Sequence, residues 1–144
     1  MINVPIKPLS FNEAWRAVPV KNRPGVATNI KSKDYRQFEK DVSWFLKPIK
    51  GVDFTAPLYV VYVFHLSNPR ADYDNHIKAF QDIISAKYEF NDSKIILGLV
   101  MKTKARKGEE STSFLLTNSF EEAMIAIRTK HHVHHVVVRE KLVP

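Results

Sequence analysis

Leu58-Tyr59-Val60-Val61-Tyr62-Val63-Phe64-His65-Leu66 runs within two residues into Asn68-Pro69-Arg70-Ala71-Asp72-Tyr73-Asp74-Asn75-His76-Ile77-Lys78-Ala79-Phe80-Gln81-Asp82, and these segments decide the fold. The first is almost continuously apolar and rich in β-branched and aromatic residues. That content reads as a central, buried strand. Ser67 to Ala71 is a polar loop containing Pro69. From Asp74 to about Lys87 the pattern turns helical, with Ile77, Phe80, Ile84 and Tyr88 on one face. A buried strand thus feeds an amphipathic helix.

Working outward, Ile95 to Lys104 is a second strong strand. Arg106-Lys107-Gly108-Glu109 is a turn and Ser113 to Thr117 a third strand, so a hairpin is expected there. Upstream, Asn3 to Lys7 reads as a short first strand. Residues 8 to 31 read as irregular, broken by Pro8, Pro19, Pro24 and Gly25. Ser32 stands as an N-cap for a helix with Tyr35, Phe38, Val42, Phe45 and Leu46 at helical spacing, stopped by Pro48 and Gly51. Downstream, Ser119 caps a last helix, with Glu121 and Glu122 in its first turn and Arg128 and Lys130 at its end, an order that suits the helix dipole. His131-His132-Val133-His134-His135 and Val136 to Val138 suggest a strand. Its histidines alternate between faces, so an edge strand, possible at a dimer interface, is expected rather than a zinc site. The class is α+β: a small mixed sheet with helices packed on it, in one domain. Residues 1–118 form its body and 119–144 a C-terminal helix and strand extension.

A chain of 144 residues is the size of one domain and can bury one core. It has no Cys, which excludes disulfides and a thiolate zinc site and fits a reducing cytoplasm. Met1 to Lys7, short and mixed ahead of Pro8, does not read as a signal peptide, and no apolar run approaches the ~20 residues of a membrane helix. Lys and Arg number 22 against 15 Asp and Glu, a formal charge of +7. That surplus favours a polyanion as partner, nucleic acid being the commonest.

Chemistry concentrates where the first strand meets the helix. In extended backbone Asp72 and Asp74, two apart, would point the same way, so their carboxylates could converge. Phosphodiester cleavage uses such grouping, because Mg²⁺ takes oxygen ligands and one or two carboxylates can hold it. The ion polarises a phosphoryl oxygen and acidifies a bound water. Lys78, four residues past Asp74, shares its helix face and could hold a phosphate or stabilise developing charge. Asp82 lies about 12 Å along the helix from Asp74, too far for the same ion, so a supporting pair with Lys78 is expected. Asp92 is a third acid, in Phe90-Asn91-Asp92-Ser93-Lys94. A parallel strand–helix–strand crossover would put it at the other end of the sheet unless the loop from Tyr88 to Lys94 returns it. Asp-x-Asp-Asn before a helix is equally what a cap and turn look like, and Asn91 to Ser93 equally a turn.

The run Asp72-Tyr73-Asp74-Asn75-His76-Ile77-Lys78 resembles the Asp-x-Asp-Asn-x-x-Lys motif of the RusA-type Holliday junction resolvase family. Asp82 matches the family's later helical acid, and Asp92 the second member of its Asp-Asp pair. The resemblance covers about residues 1 to 117. Asn91 replaces the first acid of the pair, Lys94 stands where Gln is common, and the family's Gly after the helix is absent. The resemblance implies Mg²⁺-dependent cleavage of four-way DNA junctions by a homodimer, the choice between Mg²⁺ and Mn²⁺ staying open. It implies Asp72, Asp74 and Asp92 as metal ligands, Lys78 as a catalytic residue, and Asn75 and Asp82 in support. Two other readings stay open: a non-catalytic binder of branched DNA, and a nuclease preferring flaps or forks.

Candidate phosphate contacts are Arg16, Lys21, Arg23, Lys31, Lys33 and Arg36 ahead of and within the first long helix. Arg70 joins them from the motif loop. Lys102, Lys104, Arg106 and Lys107 cluster at the later turn. Trp15 and Phe11 could stack on an unpaired base, but core packing is the favoured expectation for both.

Overall fold

The structure, a computed structural model, describes residues 1–130 and 136–140. Leu58–Leu66 (β4) is the centre of the molecule, and every residue of it except Tyr59 and His65 is buried. Alternation divides it between two cores. Val60, Tyr62, Phe64 and Leu66 face one cluster with Tyr35, Phe38, Val42, Phe80 and Ile84, while Val61 and Val63 face a second with Leu99, Met101, Ala123 and Ile127. A strand with helices over both faces must be apolar on both, which is why the segment lacks a polar alternation.

β4 pairs in parallel with Ile95–Lys104 (β5) and antiparallel with Ser111–Thr117 (β6). Ile2–Val4 (β1) adds antiparallel to β6, and Val136–Glu140 (β7) antiparallel to β5, giving the order β1-β6-β4-β5-β7. The fold class is therefore α+β with a mixed sheet, as expected. The hairpin expected between β5 and β6 does not form, because β4 lies between them. The connection passes over the end of β4, where the Ala105 N–H donates to the Leu66 carbonyl at 2.9 Å. The most apolar strand takes the middle, where both its faces and both its edges are covered.

Lys33–Phe45 (α2) begins at the Ser32 cap, whose hydroxyl accepts from the Tyr35 N–H, and buries Tyr35, Phe38 and Val42. Ile77–Lys87 (α3) makes the crossover from β4 to β5 and buries Ala79, Phe80, Ile83 and Ile84. Phe120–Lys130 (α4) covers the opposite face, with Ser119 accepting from the Glu122 N–H at 3.2 Å. Two expectations change here. The stretch from 8 to 31 is ordered: Phe11–Ala14 (α1) is a single helical turn with a Ser10–Glu13 capping box, and Trp15–Pro19 (β2) with Ala27–Lys31 (β3) forms a separate antiparallel arm. Its turn uses positive φ at Asn22 and Gly25. All of residues 21 to 30 are exposed, so no apolar periodicity marked the arm. The second change is at α3, which starts at Ile77 rather than Asp74.

The expected strand over the tail is seen as β7, on the sheet edge. His131 to His135, and with them the histidine question, lie outside the described residues.

Candidate functional site

Asp72 to His76 is neither extended strand nor helix. The Asn75 N–H reaches the Asp72 carbonyl (3.4 Å) and the Ile77 N–H the Asp74 carbonyl (3.2 Å), so the chain descends through consecutive turns. The carboxylates are therefore not aligned as neighbours on one strand face. Both are exposed, and neither makes a side-chain hydrogen bond or ion pair among the described residues. Asp74 is no cap: His76 occupies that position and makes no side-chain cap bond. The turns are pinned from outside, since the Phe11 N–H of α1 donates to the Asn75 carbonyl at 2.8 Å.

The loop before these turns is clamped by Lys102. Its ammonium donates to the carbonyls of Ala71 (2.6 Å) and Pro69 (3.1 Å). Lys102 shares the sheet face of Val100 and Tyr62, where the alternation calls for an apolar residue, and that exception is the signal that sets it apart from ordinary surface lysines. It serves the loop rather than standing free for a phosphate. Asn68 closes the loop, its Oδ1 accepting from the Arg70 N–H at 3.0 Å. Behind it, Glu110 accepts from the Ser67 hydroxyl (2.6 Å) and the Gly108 N–H (2.7 Å). Those bonds, the Ser67 hydroxyl first, hold the Glu110 carboxyl below the usual range.

A cleft of about 540 Å³ opens beside this loop, lined by Leu66, Pro69, Ala71, Tyr73 and Val100 and rimmed by Arg70, Asp72, Lys102 and Lys104. An apolar floor with a charged rim is ordinary ligand-site architecture. Under the loop sits His76, 6 % exposed, its ring 5.6 Å from that of Phe64 and neither ring nitrogen within hydrogen-bonding geometry of a partner among the described residues. Burial pushes it below the ordinary imidazole value, opposed by the Leu9 backbone and the Glu13 carboxylate and reinforced by Lys102 and Lys7.

Lys78 and Asp82 form the expected pair at 2.7 Å, one helical turn apart. Asp92 does not join Asp72 and Asp74. It opens a 3-10 turn, Asp92–Lys94, whose next residue Ile95 pairs with the start of β4. Val100, which shares the cleft with Asp72, lies five strand positions further on, roughly 17 Å away. The eleven-residue α3 carries the chain back about 15 Å, and the loop after it does not return Asp92 to the motif end. Among the described residues no three of His, Cys, Asp and Glu converge as a metal cluster.

Of the basic candidates, Lys31 is committed: it bridges Glu39 at 2.6 Å and lies 5.2 Å over the Tyr35 ring. Arg16, Lys21, Arg23, Lys33, Arg36, Arg70, Lys104, Arg106 and Lys107 are exposed and make no ion pair among the described residues. Trp15 packs against the core, stacked on Tyr35 at 5.5 Å, while Phe11 is 41 % exposed. Sequence reasoning passed over His65. It is half-buried and lies in a polar row across the sheet, bonded to Thr103 and Ser113, with Ser113 reaching Asn3. It also passed over Trp44, which is 86 % exposed on α2.

No protein-family model matches the chain, and no curated protein matches it. No helix among the described residues is long and apolar enough to cross a membrane.

Proposed function

We propose that this chain is a metal-dependent endodeoxyribonuclease acting on branched DNA, with the four-way junction as its substrate. The observation that carries the proposal is the placing of Asp72 and Asp74. Both are exposed and, among the described residues, unengaged, on a loop that Lys102 clamps beside a cationic cleft. These donors suit Mg²⁺ or Mn²⁺, because a hydrated hard cation needs only one or two carboxylates. When bound there, the ion would supply Lewis acidity toward a phosphoryl oxygen and a more acidic water. Lys78, held at 2.7 Å by Asp82, presents a fixed positive charge toward a phosphate on its solvent side. Arg70 and Lys104 draw the strand to the rim, while Arg16, Lys21, Arg23, Lys33, Arg36 and Arg106 grip phosphates further out without reading sequence. An absence of Cys agrees with action in the cytoplasm.

The chain by itself keeps Asp92 apart from this loop. A homodimer, which the RusA-type motif implies, supplies a route: Asp92 of one copy beside Asp72 and Asp74 of another. A junction's two-fold symmetry also suits such a pair. The lack of a three-ligand cluster among the described residues favours, as the second reading, a binder of branched DNA that does not cut.

A labelled four-way junction incubated with Mg²⁺ or Mn²⁺ separates the two, with flap and fork substrates alongside. Paired nicks near the crossover are expected. Asp72→Asn and Asp74→Asn are expected to abolish cutting and keep binding. Cutting that survives both substitutions refutes the site, and binding without cutting by the unaltered protein establishes the second reading.

A further inference from the structure

Trp44 is 86 % exposed, the most exposed of the large apolar side chains among the described residues. Its surroundings are not apolar. The core face of α2 is spent on Tyr35, Phe38 and Val42. Lys33, Gln37, Lys40 and Trp44 follow at i, i+4, i+7 and i+11, so they form one stripe on the outer face, and all are exposed. Arg36 flanks the stripe on one side. Asp34 and Asp41 flank it on the other, Asp41 accepting from Gln37 at 2.9 Å. Among the described residues Lys33 and Lys40 make no ion pair. The stripe is about 16 Å long. It begins where the basic arm ends, since β3 finishes at Lys31 and Ser32 caps α2.

We propose that the outer face of α2 binds single-stranded DNA, with Trp44 stacking on a base and Lys33 and Lys40 holding the phosphates that precede it. A projecting ring in line with spaced cations is what an unpaired strand needs, because each base has a π-face and each link a negative charge. A lipid surface is disfavoured: α2 offers Trp44 alone to the outside, and an interfacial helix inserts a whole apolar face. An acidic protein would meet the lysines but gives no use to a bare indole beside them. The proposal rests on the nucleic-acid part of the reading above and not on cleavage. In a junction it would hold a strand freed at the crossover.

The test uses the full chain with an oligo-dT probe in a chelator, so that cutting cannot contribute. Tryptophan emission is read, because Trp44 is exposed while Trp15 is half-buried and stacked on Tyr35. Saturable quenching is expected. Trp44→Ala is expected to lose the quenching and weaken binding about tenfold or more, the value of one base–aromatic stack, while Trp44→Phe retains most of the affinity. Lys33→Ala with Lys40→Ala is expected to lower the slope of log affinity against log salt by about 1.4. Unquenched emission from the parent protein, or unchanged affinity in Trp44→Ala, overturns the proposal. So does equal quenching by polyglutamate, which would mark an acidic-protein surface, or by anionic vesicles, which would mark a lipid one. Loss of junction cutting with this behaviour intact would sink only the nuclease reading.

Discussion

Replacing Lys102 by Met removes a charge from the rim and keeps the length of the side chain. In the folded protein the ammonium donates to the carbonyls of Ala71 and Pro69, at 2.6 and 3.1 Å. Hydrogen bonds from charged groups are worth about 1.5–3 kcal/mol each. The Pro69 bond is exposed and the lysine only half-buried, so water replaces part of what is lost. The net cost comes to about 2 kcal/mol, which for a chain of this size lowers Tm by about 6 °C. The loss is local as well. The Arg70 and Ala71 amides bond back to Asn68, and the Asn75 amide to Asp72, so they share the loop that Lys102 clamps. Hydrogen exchange at these amides is expected to quicken in Lys102→Met, while amides of β4 change only with global stability. Lys104→Ala, exposed and without such bonds, serves as the control and is expected within about 0.5 kcal/mol of the parent. Thermal melts with residue-resolved exchange decide the matter. Unchanged Tm with unchanged exchange at residues 70, 71 and 75 would refute the clamp, and with it the account of how Asp72 is positioned.

The route for Asp92 has a complementation test. Asp92→Asn alone is expected to impair junction cutting, and mixing it with Asp72→Asn is expected to restore nicking, because the mixed dimer holds one intact set. Failure of the mixture to recover shows that Asp92 does not act from the partner subunit. Stability is expected to fall with acid in a defined window. His76 and His65 both titrate below the ordinary value near 6.5, chiefly through burial. Above that value both states are neutral and the stability is full. Below it the unfolded chain takes up protons the folded chain resists, so stability drops as pH falls from 6.5 toward the folded-state values. Urea titrations of His76→Leu are expected to show a shallower loss over this range, and an equal slope would remove His76 from the account.

Much was legible because periodicity reports burial. The bounds of β4 and β5 are legible to the residue, since strands covered on both faces carry nearly continuous apolar content over most of their length. Ser32 and Ser119 marked helix starts because an N-cap is a local bond. The β2–β3 arm escaped because it buries little and leaves no pattern. The expected pairing of β5 with β6 fails for a different reason. Nearness in sequence favours a hairpin, but covering β4 on both edges stabilises more. At the site, the Lys78–Asp82 pair followed from spacing within one helix. Lys102 did not, because its partners lie more than thirty positions earlier in the chain.

The strand–turn–helix junction at residues 58–82 divides along the same line. Sequence alone determined that an apolar strand runs into an acidic turn and then a helix carrying a lysine, since each of those properties lives in a few neighbouring residues. Tertiary structure alone decided where that turn is held, and by what. It decided that Asp72 and Asp74 leave the strand through turns, that Lys102 clamps their loop, and that Asp92 lies at the far end of β5. The parallel pairing of β4 with β5 is the physical cause: it obliges the chain to travel back along α3 before β5 can begin, and so carries Asp92 away from the acids it most resembles.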